Sequence, residues 1–205
     1  MALLRNISHL IRENRRAFVG LNLLYFGLTV LAMVLVSARP ELIGAIRGWI
    51  KARFNPELLN AVAQGMVYRA ILLTFINNFL YGTIFAISLP SLVIPFLGIF
   101  IGLVRALLWG LALSPADPSF RMHFLVQIPT WLLEGEGYVL AMFAVFVLWR
   151  NCFWPHRAEA KNSIEGYRAG LRQSLPLYAG VLILLAAGAV YEPLATIYLL
   201  PLVLH

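Results

Sequence analysis

Aspartate, cysteine and charge of either sign are scarce in this chain of 205 residues. Asp117 is the only aspartate, which excludes an intramembrane aspartyl protease with its paired acids. Cys152 is the only cysteine; it cannot close an internal disulfide and reads as a bystander thiol. Charged residues make up 12% of the chain and hydrophobic ones 61%, whereas a soluble domain is nearer about 25% and about 45–50%. A soluble globular protein is therefore excluded. So is a β-barrel, whose strands would alternate polar and apolar residues. No GxSxG, HExxH or GxxxxGK[ST] pattern occurs, which leaves hydrolase, zincin and P-loop chemistry without support. His9, His123, His156 and His205 are scattered, and His156 with Glu159 is too sparse for a metal site. The sequence predicts neither an enzyme nor a bound cofactor or metal. The net charge of +7 comes from arginines between apolar runs, a membrane-orienting pattern rather than a nucleic-acid footprint.

What the chain does have is long apolar stretches, each enough to cross a hydrocarbon core of about 30 Å. The predicted fold is all-α: one polytopic membrane bundle of about five transmembrane helices, with an amphipathic extracytoplasmic helical segment. Residues 1–17 carry Arg5, Arg12, Arg15 and Arg16 beside an apolar stripe, as expected of a helix on the inner leaflet. Residues 18–36 form the first span; the Ser37-Ala38 that follows resembles a cleavage site, but the run is too long for a signal core of roughly 7–15 residues. In 39–66, Ile46, Trp49, Ile50 and Phe54 fall on one helical face, a candidate surface for docking a partner. Asn55-Pro56-Glu57 then signals a helix restart.

The second span covers 67–89, with Asn77 and Asn78 near its centre. Leu89-Pro90-Ser91 to Pro95 breaks the chain, and a third span follows over 92–113. There Gly98, Gly102, Ala106 and Gly110 recur at four-residue steps, a ladder of small residues that lets another helix approach its backbone. The fourth span covers 122–149, a basic inner loop 150–174, and the fifth span 175–204, broken near Pro193. An odd number of spans, with basic residues at the amino terminus and in 150–174, puts the amino terminus in the cytoplasm.

The unusual residues lie at mid-depth. An ionised acid at a helix centre costs at least roughly 2.5–3.5 kcal/mol on insertion scales, yet Glu134 and Glu136 sit near the middle of the fourth span. His123, Gln127, Thr130 and Glu134 share one face, while Glu136 lies about 200° around the helix from Glu134. Pro129 and the Gly135/Gly137 pair would permit local unwinding that brings both acids into one cavity. Arg105 and Asn77/Asn78 fall at the same depth. The expected contact is an Arg105–Glu134 pair completed by the asparagines, which leaves Glu136 to be neutralised or hydrated. Such a network serves either as a register-fixing core or as a pathway through the membrane.

At Phe75–Asn78 (FINN), Pro95–Gly110 (PFLGIFIGLVRALLWG) and Ile128-Pro129 followed by Glu134, the chain resembles the stage II sporulation protein M family of integral membrane proteins. A His-Gly pair commonly follows the proline in that family, where Thr130-Trp131 stands here. The resemblance implies a non-enzymatic scaffold in the cell membrane that recruits peptidoglycan-remodelling envelope proteins. The intramembrane acids suggest instead a small transporter or channel, proton-linked through Glu134 and Glu136. The expected partner is the lipid bilayer, with other envelope proteins and a homo-oligomer left open; no nucleic acid is expected.

Overall fold

The computed structural model describes residues 2–39, 41, 44, 48, 55–113 and 118–204. These residues are overwhelmingly helical, with no strand among them. Four helices, Arg15–Ser37, Val67–Ser91, Arg121–Phe153 and Ser163–Val203, are long and apolar enough to cross a membrane, and Leu97–Ala112 is a shorter apolar helix. The surface of the bundle is correspondingly greasy: Leu23 and Leu24 on the first span, and Leu182 and Ile183 on the last, are exposed. The docking residues Ile46, Trp49, Ile50 and Phe54 lie outside the described residues.

Helix α1 (Ala2–Glu13) is amphipathic, and its apolar stripe does not rest on lipid alone. Ile7 and Leu10 are buried in the main core, where Gly180 leaves room for Leu140 and Ile7. Asn14 ends α1 and opens α2 (Arg15–Ser37). Its side chain donates to the Leu10 carbonyl at 3.0 Å and accepts from the Arg150 guanidinium, so the corner is tied to the far end of a later helix. The Asn55-Pro56-Glu57 signal has its physical basis in α3 (Pro56–Ala63): the Asn55 side chain accepts the Glu57 N–H at 2.9 Å, and proline occupies the first turn.

Helix α4 (Val67–Ser91) continues through Leu89-Pro90-Ser91, so the break falls at 92–96 and not before. The turn there is made by Phe96, whose φ is 59°, a conformation non-glycine residues seldom adopt. Residues Ile76–Ser88 within α4 are π-helical, wound wider than an α-helix. Thr83 and Ser88 donate their hydroxyls to the carbonyls five residues back, Asn78 and Thr83, at 3.0 and 2.9 Å. Helix α5 (Leu97–Ala112) buries its whole small-residue ladder. A Cβ at Gly98 would collide with the Ile87 carbonyl, at Gly102 with Met142, and at Gly110 with the Thr29 carbonyl, so the ladder serves three neighbours.

Helix α6 (Pro118–Phe153, 36 residues) is the axis of the molecule. Its most apolar window is 72% buried, against 33% for each of the other three long spans. It runs without unwinding through Pro129, Gly135 and Gly137, contrary to the opening expected there. The glycines are used for packing instead: Gly135 faces Phe26 of α2, and Gly137 faces Leu185. The basic stretch 150–174 is mostly helix rather than loop. It contains the end of α6, a 3-10 turn at Pro155–Ala158, and α7 (Ser163–Ser174), capped by the Asn162 side chain. Helix α8 (Leu177–Leu194) does not end at Glu192-Pro193; it passes through π turns (Ala195–Leu199) into α9 (Leu200–Leu204).

Candidate functional site

Three helices meet at Glu134, a buried residue of α6. Gly188 of α8 makes the space for it, since a Cβ there would stand 2.8 Å from Glu134 Cγ. Asn78 of α4 donates its amide to Glu134 Oε1 at 2.5 Å. The Asn78 side-chain oxygen Oδ1 accepts from Arg105 Nη2 of α5 at 3.0 Å and from the Tyr138 hydroxyl at 3.0 Å. Arg105 also donates to that hydroxyl at 2.6 Å, and its guanidinium carbon lies 4.3 Å from the centre of the Tyr138 ring.

The expected direct pair between Arg105 and Glu134 is therefore corrected to a relay. An amide can donate to a carboxylate with one end and accept from a guanidinium with the other, so Asn78 stands between the charges and satisfies both. Asn77 is peripheral, donating to Asn78 Oδ1 at 3.4 Å. Tyr138, fully buried, is a member that the sequence reading missed; its signal was the four-residue step from Glu134.

Removal of the relay residue has a calculable consequence. Asn78→Leu takes the donor from Glu134 and the acceptor from the Tyr138 hydroxyl and leaves Arg105 Nη2 with Tyr138 alone, and each buried unsatisfied group costs about 1–3 kcal/mol. Thermal unfolding of the detergent-purified protein should show a clear drop for Asn78→Leu and a smaller one for Asn77→Leu. Equal effects would mean that the relay is not the stabilising unit.

The stripe His123, Gln127, Thr130 and Glu134 lines one wall of a cavity of about 390 Å³. Leu58, Leu59 and Val62 of α3 line it at the end away from α7, and Tyr25, Trp109 and Trp131 add aromatic surface. Gln127 Nε2 donates to the Thr196 hydroxyl at 2.7 Å, and Thr130 donates to Gln127 Oε1 at 2.8 Å, so the stripe is sewn to the last span. That span supplies Glu192 to the cavity, a second acid that sequence reasoning passed over as a neighbour of the helix-breaking Pro193.

Glu136 does not line the cavity. The unbroken helix turns it away from Glu134, toward the side of α6 that carries the exposed Leu125 and Leu132. It makes no hydrogen bond or ion pair among the described residues. The pair of acids at the site is Glu134 with Glu192.

Two polar atoms on the cavity wall, Thr74 Oγ1 and Trp131 Nε1, are buried without a hydrogen-bond partner, as is Arg105 Nε behind the wall. Buried polar groups normally find partners, and both of these belong to residues that line the cavity. Below Glu134 the bundle is closed: Tyr138, Met142 and Phe143 are fully buried. Among the described residues no group of three or more His, Cys, Asp or Glu is placed to hold a metal. Comparison of the chain with known protein families, characterised proteins and solved structures finds no match to any of them.

Proposed function

We propose that the protein is a small membrane transporter, its solute site lying between α3 and Glu134 and its other end shut by the packing of Tyr138, Met142 and Phe143. The observation that carries this reading is the cavity of about 390 Å³ that reaches two carboxyl groups inside an apolar bundle. An acid kept at mid-depth is costly, and a packed core gains nothing from leaving it beside empty space. A scaffold needs no such opening. The scaffold role implied by the family resemblance rests instead on the 46–54 stripe, so the described geometry adds nothing to it.

The arginines support an orientation in the bacterial cytoplasmic membrane. Arg5, Arg12, Arg157 and Arg168 are exposed at the end where α1 and α7 meet α6, the end the positive-inside rule assigns to the cytoplasm. The cavity then opens toward the extracytoplasmic side.

Solvent access tests the reading. In a Cys152→Ser background, Thr196→Cys and Thr130→Cys on the cavity wall should react with a water-soluble methanethiosulfonate added outside. Ile183→Cys, on the exposed apolar face of α8, should not. If neither wall position reacts, the cavity is dry and transport has no path.

A further inference from the structure

We propose that the solute is an organic monocation, a protonated amine on an apolar body, bound between Glu134 and Glu192; this deepens the transport reading and rests on it. The first argument is charge. Among the described residues, two carboxyl groups and the His123 imidazole line the cavity, and no lysine or arginine does. Arg105 is held on the far side of Asn78, its Nη2 donating to Asn78 and Tyr138. One guanidinium balances one carboxylate, and the site is one positive charge short. Charges in a low-dielectric site must be compensated, so the deficit is filled by a proton on one carboxyl or by a bound cation.

The second argument is the wall. Trp109, Trp131 and Tyr25 supply the aromatic faces that attract organic cations. Leu58 and Leu113 offer apolar surface for the body of the solute. A hydrated inorganic ion would gain little there, because leucine and tryptophan cannot replace its water. The volume also lies within the range of about 300–1,000 Å³ usual for small-molecule sites.

Charge balance then links the solute to protons. When the ammonium enters, the O–H bond of the neutral carboxyl breaks, the electron pair stays on the carboxylate, and the proton leaves to water on the open side. Amine in and proton out are one exchange.

The test is calorimetric titration of the full chain in lipid nanodiscs with benzylammonium, its neutral isostere benzyl alcohol, and benzoate. Wild type should bind the amine about tenfold more tightly than the alcohol and should not bind benzoate. Glu192→Gln should erase the preference for the amine, a variant chosen because Glu192 lies outside the Asn78 relay. Alcohol binding equal to amine binding in wild type, or an undiminished preference in Glu192→Gln, overturns the assignment. Flux in proteoliposomes separates the two readings: amine preference without flux keeps the ligand and defeats transport. Glu192-dependent proton flux without amine preference keeps transport and defeats the ligand.

Discussion

Arg105→Met is expected to destabilise the folded protein by about 3–5 kcal/mol, the range for removing one member of a buried charged set. Methionine can follow the arginine stem, so the loss is not a cavity effect. What disappears is the donor to Asn78 and Tyr138 and the cation lying 4.3 Å from the Tyr138 ring centre. The carboxylate of the Glu134 and Glu192 pair is left with no compensating charge. Adding Glu134→Gln should recover much of the loss, because the glutamine Oε1 still accepts from Asn78 and carries no charge. Unfolding of wild type, both single variants and the double variant in one detergent gives the coupling. If the two effects add to within about 0.5 kcal/mol, the residues act independently and no electrostatic unit exists.

Gly110→Leu should be comparably severe for a different reason. A Cβ at Gly110 meets the carbonyl and the Ala32 side chain of a facing helix, and Ala32 Cβ would be 2.7 Å away. The obstacle includes backbone, which no rotamer change removes, so α2 and α5 must separate. The expected cost is about 3 kcal/mol or more, at or above the top of the usual range for overpacking. Gly27→Leu is the control: nothing lies within 4 Å of its Cβ position, and replacing a helical glycine there should be neutral or stabilising by up to about 1 kcal/mol. A monomer yield and melting point for Gly110→Leu like those of Gly27→Leu would show that the ladder is not a close-packed seam.

The site was legible where helical geometry alone decides direction. His123, Gln127, Thr130 and Glu134 lie on one face because steps of three and four residues return to the same side of an α-helix, and that face lines the cavity. The same arithmetic parts Glu136 from Glu134; the opening invoked to reunite them gave Pro129 and two glycines more influence than they have. Glu192 was hidden by its neighbour. Proline removes one donor and crowds one carbonyl, but the helix absorbs this and continues through π turns. The long π segment of α4 was illegible in a deeper sense, since widening a helix shifts hydrogen-bond partners without changing the apolar composition of the run. Helix α7, read as loop, did carry a signal: Asn162 and Glu165 sit three apart, as in a reciprocal cap. The Glu165 N–H reaches Asn162, while the Glu165 carboxylate takes the Lys161 N–H, both at 2.9 Å.

Helix α6 is longer than a hydrocarbon core is thick. Its 36 residues measure about 54 Å, and from Glu134 to its end is about 28 Å, roughly 14 Å more than half a hydrocarbon core. Over that excess the neighbour is α7, whose Gly170 lies against Leu148 and Gly166 against Asn151. The two helices form a stub tipped by the turn at Pro155–Ala158. Arg157, Lys161 and Arg168, all exposed, make that end of the molecule a raised basic knob.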